Sequence, residues 1–268
     1  MFLLMSNADL GAVLRTYTPI ALITAAVTGV LYALVAGGLL RRPAGRVAAG
    51  AMASSYVNAG NIGVPIALYA VGTAAPVVSV LIAQLLVIAP LYLSVFAWCR
   101  HRTARGEGDG GDTRSLGATL GRSLANPVTV ATGLGLLAAA FAIDLPAVLA
   151  QPVEMLGNAS VPLLLLLFGM SLRGQRPMGR EARAEVVLGT TLKVLVMPVL
   201  AWAVGRFLFG LDGLDLLGVV LMAALPTAQN VFLFAGHFRL ATTSVRDVTL
   251  VSMLLALPVS LVITVLLG

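Results

Sequence analysis

Residues 58–65 read NAGNIGVP, inside a run that is otherwise apolar. Gly60 and Gly63 weaken a helix because they carry no side chain to restrict the backbone, and Pro65 has no N–H to give to the turn before it. Three such residues within six positions predict an interrupted helix. The carbonyls and amides freed by an interruption need partners wherever water is scarce, and Asn58 and Asn61 offer both donors and acceptors. The pattern returns near the other end of the chain. Residues 225–232 read LPTAQNVF, where Pro226 is followed by Thr227, Gln229 and Asn230.

The surroundings of both stretches are those of a membrane protein. Of 268 residues, 59% are hydrophobic and 10% are charged, against about 25% charged in an ordinary soluble domain. Mean hydropathy is +0.99. So few charges cannot cover a water-facing surface, which predicts a polytopic membrane protein. The single cysteine, Cys99, excludes an internal disulfide and a paired-cysteine metal motif, and only two histidines, His101 and His237, are present. The start MFLLM is followed at once by SNAD, without a positive flank or a usual cleavage pattern, so no signal peptide is assigned.

Eight apolar segments follow, at roughly 19–40, 48–71, 76–99, 125–143, 149–172, 186–206, 214–236 and 245–267. Each is about 20 residues, enough to cross a hydrocarbon core as a helix, and the runs are too long and unalternating for a barrel. Charge placement gives a second test. Fourteen of the 17 basic residues fall in alternate connections, for example Arg41, Arg42 and Arg46 after the first segment and Arg239 and Arg246 after the seventh. Such alternation marks the cytoplasmic side and puts both termini outside it. It also accounts for the net charge of +6 without nucleic acid. The one hydrophilic linker is TARGEGDGGDTRSLGA at 103–118, read as a surface loop.

The two interruptions occupy matching places. Each lies in the middle of three successive spans, in 19–99 and in 186–267, and three spans per unit place the second unit upside down relative to the first. That is the plan of an inverted repeat whose discontinuous helices meet near the midplane. The N-terminal end of a half-helix favours an anion. Lys193, the only lysine, either snorkels to the cytoplasmic surface or sits buried where it attracts an anion. No Asp or Glu is placed mid-span, and Asp247 is read as interfacial. Ser54, Ser55, Gln84, Asn158 and Ser160 are polar candidates for interhelical bonds or substrate contact. Asn126 is read as a helix cap, and His237 as interfacial. No HExxH, GxSxG or P-loop is present, so no enzyme site and no cofactor site is assigned.

Six stretches in order carry a resemblance: SSYVNAGNIGVPIALYAVG (54–72), NPVTVATGLGL (126–136), SVPLLLLLFGMSL (160–172), LKVLVMPVLAW (192–202), LPTAQNVFLFA (225–235) and VTLVSMLLALPVSL (248–261). Together they look like the auxin efflux carrier family, in particular its bacterial malonate transporter-like permeases. The resemblance implies an all-α inverted-repeat transporter fold with two crossing interrupted helices, broken at Pro65 and Pro226. It implies a substrate site lined by Asn61 and Asn230, with Asn58 and Gln229 beside them, and Lys193 is added as a further binding candidate. It implies a small organic anion as substrate, alternating access without covalent chemistry, a bacterial cytoplasmic membrane and a homodimer. Proton or sodium is the coupling ion the family implies, and the sequence leaves it open.

The family has ten helices, and eight are found. On this reading 1–99 is an N-terminal repeat with three spans, 100–124 a cytoplasmic linker and 125–268 a complete repeat with five. A start placed too far downstream, or a truncated gene, is the expectation. Three further readings stand beside the carrier: a channel, a scaffold-like truncated fragment without flux, and a sodium-coupled bile-acid-type carrier.

Overall fold

The computed structural model describes residues 13–106, 127–141, 146–172, 179, 182–240 and 242–268. Helices occupy every one of the eight apolar segments. They are α1 (Val13–Leu39), α2 (Ala44–Ser55), α3 (Ala59–Val71), α4 (Ala75–Arg100), α5 (Pro127–Ala140) and α6 (Ala147–Leu172). After them come α7 (Arg183–Leu208), α8 (Gly213–Ala224), α9 (Asn230–His237) and α10 (Thr242–Leu267). Among the described residues, α1, α4, α7 and α10 are the four helices long and apolar enough to cross a membrane, by length and composition. The helix containing α4 continues to Gly106, past the expected end of its span. Asn126, Asp144 and most of the linker lie outside the described residues, as do the side chains of Asn158 and Ser160.

Both expected interruptions are present. One segment divides into α2 and α3, the other into α8 and α9. The first break is not at Pro65, however. The chain leaves the helix at Tyr56, whose backbone is extended (φ −103°, ψ 114°), and re-enters it after Asn58. Pro65 lies inside α3 and is exposed. The turns on either side of it are wide, closing to the fifth residue rather than the fourth, and such turns tolerate a residue that cannot donate. Pro226 does lie in its break, between the end of α8 and the start of α9.

The core is built on α8. Every residue from Leu216 to Ala224 is buried, as expected of a helix that is apolar on all sides. It contacts α1, α3, α4, α7 and α10. The outward faces of the long helices carry Leu, Val and Phe instead: Leu254, Leu257, Leu261 and Val265 of α10 are all exposed. Large apolar side chains on the outside and a packed interior fit a lipid surroundings.

The α1–α2 pair packs closely because Gly50 has no side chain. A Cβ placed there would overlap the ring of Tyr32, which is 1% exposed and has no room to turn away. Gly50→Ala is therefore expected to destabilise by about 1–3 kcal/mol, the usual cost of overpacking. Thermal unfolding in detergent checks this, and adding Tyr32→Leu should recover most of the loss. An unchanged melting temperature in Gly50→Ala alone would show that the ring yields freely.

The connections gather at two ends. At one, Arg42 and Arg46, around the α1–α2 turn, meet the buried carboxylate of Glu185 in the first turn of α7, at 2.8 and 3.5 Å. Gly45 and Leu240 meet at the same end. At the other, the Tyr17 hydroxyl donates to Asp215 Oδ1 over 2.6 Å, and Pro76 lies against Gly218. Asp247 is not interfacial as expected: it is fully buried, beside a buried Arg246 that donates to its Oδ1 from Nε at 2.9 Å and from the terminal guanidinium nitrogen at 2.7 Å. An arginine one residue away supplies the charge that a carboxylate needs when it leaves water.

Candidate functional site

The two breaks lie back to back. Val57 and Thr227 form an isolated antiparallel bridge. The Asn58 amide donates to the Pro226 carbonyl at 2.8 Å, and the Ala228 amide donates to the Tyr56 carbonyl at 3.2 Å. Each break thus satisfies backbone groups of the other, which answers the question that an interruption in an apolar segment raises.

Side chains complete the arrangement. Thr227 is fully buried. Its hydroxyl donates to the Ala53 carbonyl at 2.6 Å, and its amide donates to Ser252 Oγ of α10 at 3.1 Å. Gln84 of α4 donates from Nε2 to the Val57 carbonyl at 3.0 Å. The crossover is therefore braced from α4 on one side and α10 on the other. Ser54 and Ser55 hydrogen-bond back to the Ala51 carbonyl of their own helix, and Ser55 also meets the Tyr92 hydroxyl. His237 closes α9, with its ring edge-on to Phe238.

The asparagines and glutamine flank this bridge. Asn58 and Gln229 are buried, while Asn61 and Asn230 are half-buried. The Asn230 side chain lies near the Tyr56 hydroxyl. Its Oδ1, and both polar atoms of the Gln229 amide, are buried without a hydrogen-bond partner. Unmade hydrogen bonds at buried amides are costly, about 1–3 kcal/mol each, so these atoms on two adjacent residues make this stretch a candidate binding site.

Lys193 is not at the surface. Its side chain is fully buried, and its ammonium donates to the Ala223 carbonyl at 2.8 Å and to Met197 Sδ at 3.3 Å. Snorkelling is thereby overturned: the side chain is held by the last turn of α8. The lysine stands at the foot of the second break rather than among the asparagines.

A small cavity lies between α1, α4 and α8. It is lined by Ser55 and Val57 at the first break, by Thr24 and Gln84, and by Met197 and Ala223, the two residues that hold Lys193. Neither Asn58, Asn61, Gln229, Asn230 nor Lys193 lines it.

Sequence reasoning missed Tyr56, Ser252 and Glu185. Tyr56 directly precedes the broken stretch, and its place there was the available signal. Among the described residues, no group of three or more His, Cys, Asp or Glu side chains is placed to hold a metal ion.

Apolar outer faces, a buried polar crossover and helices long and apolar enough to span are those of a multi-pass membrane protein. The membrane transport protein family matches residues 9–264, and the chain belongs to that family, which is the auxin efflux carrier family. Its relatives include a Rhizobium meliloti protein named "Putative malonate transporter", 28% identical over 192 residues, which cover 69% of this chain and 56% of that protein. The Arabidopsis thaliana auxin efflux carrier component 4 is 28% identical over 148 residues, 53% of this chain and 24% of the carrier. A rice protein named "Probable auxin efflux carrier component 1b" is 26% identical over 147 residues, again 53% of this chain and 26% of the relative. The matches thus span about a quarter of the plant relatives and about half of the rhizobial one.

Proposed function

We propose that this chain is a secondary transporter that moves a small organic anion, such as malonate or another carboxylate, across a bacterial cytoplasmic membrane. Transport would proceed by alternating access around the crossover. The observation that carries this reading is the set of unpartnered buried amide atoms on Gln229 and Asn230, beside two helix breaks. α3 and α9 both begin at the crossover. Their N-terminal ends, each bearing roughly half a positive charge, favour an anion there. An amide donor such as Gln229 Nε2 can bond a carboxylate oxygen without the desolvation cost of a second full charge.

The fold supports the same reading. The connection from Leu39 to Ala44 has the same length as that from Leu208 to Gly213, and α2 and α8 are both 12 residues long. We infer an inverted repeat in which α1–α4 correspond to α7–α10, with the crossover on the pseudo-symmetry axis. The rhizobial relative's name specifies malonate, which makes dicarboxylates the first substrates to try.

Uptake into liposomes by the purified 268-residue chain tests this. The panel is labelled malonate, other small carboxylates and indole-3-acetate, with and without proton or sodium gradients. Saturable uptake that is lost in the Asn61→Ala, Asn230→Ala double variant is expected. Flux that rises linearly with concentration, or that survives the double variant unchanged, would remove the carrier at this site.

A further inference from the structure

The open polar atoms at the crossover are not an even set. Gln229 is only 4% exposed. Neither Oε1 nor Nε2 of its amide has a partner among the described residues, and neither has Asn230 Oδ1 beside it. Turned over, the Gln229 amide would still present one open oxygen and one open nitrogen, so its contribution does not depend on how the two ends are assigned. An amide oxygen only accepts, and an amide nitrogen only donates. A guest at this place therefore meets one donor group and two acceptors.

A bare carboxylate matches that set poorly. It has acceptors alone, so it can take the Gln229 Nε2 donor but offers nothing to the two amide oxygens. Those oxygens would stay unpaired, at the cost of the bonds not made. A guest with a donor of its own completes them while its carboxylate takes the nitrogen. Charge points the same way. The N-terminal ends of α3 and α9 carry about half a positive charge each, which together balance one negative charge and no more. Asn58, Asn61, Gln229 and Asn230 add none, and the Lys193 nitrogen is directed to the Ala223 carbonyl and Met197 Sδ instead.

We propose that the crossover selects a monoanion with a hydrogen-bond donor close to its carboxylate, and that Gln229 is the residue that sets this preference. Hydroxycarboxylates, half-amides of dicarboxylic acids and dicarboxylates that retain one proton are of this kind. Fully ionised dicarboxylates, and carboxylates with only an alkyl tail, are disfavoured. A site built to bond a hydroxyl or an amide rejects an analogue lacking that group far more strongly than an apolar pocket rejects a missing methylene, because its own buried groups are left unpaired. The inference rests on reading the crossover as an organic-anion site and adds the chemical class to it.

Two matched pairs test it by thermal unfolding of the purified chain in detergent. Glycolate and propionate differ by a hydroxyl in place of a methyl. Malonamate and monomethyl malonate differ by an amide in place of a methyl ester. All four are monoanions at neutral pH, and each is added as the sodium salt at one high concentration, with malonate alongside. Tenfold tighter binding of the donor-bearing member corresponds to about 1.4 kcal/mol, so it should raise the melting temperature by about 3 °C more than its partner does. In Gln229→Met, which keeps the length of the side chain without its amide, that difference should vanish. If this variant does not fold, Gln229→Ala is read the same way. Equal increments within both pairs in the unaltered chain, zero included, would overturn the proposal, as would a difference that survives the loss of Gln229. Melting reports binding, whereas liposome uptake reports movement. Saturable uptake without a pair preference would therefore sink this inference and leave the carrier standing, and a pair preference without uptake would do the reverse.

Discussion

Replacing both Arg42 and Arg46 with alanine is expected to lower stability by about 2–4 kcal/mol, the largest single loss available outside the crossover. Glu185 is fully buried in the first turn of α7, with the two guanidinium groups at 2.8 and 3.5 Å. Stranding a buried carboxylate commonly costs 3–5 kcal/mol, because its desolvation is no longer offset. The figure is reduced here because both arginines are about 30% exposed, so truncating them lets water approach the carboxylate. At a few degrees per kcal/mol for a chain of this size, the melting temperature should fall by about 5–10 °C. Adding Glu185→Gln to the double variant removes the stranded charge and should recover more than half of the loss. A double variant that melts within about a degree of the unaltered chain would mean that Glu185 is solvated by other means.

Thr227→Val should have the next largest effect. Valine matches threonine in shape but cannot donate to the Ala53 carbonyl, which the hydroxyl reaches at 2.6 Å in a fully buried setting. Leaving that carbonyl unpaired should cost about 1–3 kcal/mol. The same change loosens the spacing between the end of α2 and the second break. If about 1.4 kcal/mol of that hold is needed when substrate binds, apparent affinity in the uptake assay falls roughly tenfold. Thr227→Ser keeps the donor and should stay near the unaltered chain in both measurements. Indistinguishable melting and uptake in the valine and serine variants would show that the hydroxyl contributes only packing.

These two positions show what could and could not be read from the sequence. The helical segments follow from apolar runs of sufficient length, a signal that is local along the chain, and each of them holds a helix. That 48–71 is interrupted also followed locally, from its glycines. The location of the break did not, because it is decided by a partner far along the chain. The Asn58 amide turns to the Pro226 carbonyl, while Pro65, the conspicuous breaker, is absorbed by wide helical turns. Charges misled for a related reason. Lys193, Glu185 and Asp247 look like surface or boundary residues until the elements that bury them are known. Asn58, Gln229 and Asn230 were legible as a candidate site because an amide in an apolar segment needs a partner. That Gln229 lacks one is a fact of packing, which no spacing reveals.

The reciprocal bonding of the breaks also has a consequence in time. Asn58 and Tyr56 are synthesised long before Pro226 and Ala228, the residues that satisfy them. At about 5–20 residues per second, the first break waits roughly 10–30 s for its partner. During that interval its free backbone groups must be shielded by water, lipid headgroups or the insertion machinery. Biogenesis, rather than the finished fold, is then the stage at which substitutions near Tyr56 and Asn58 would be most damaging.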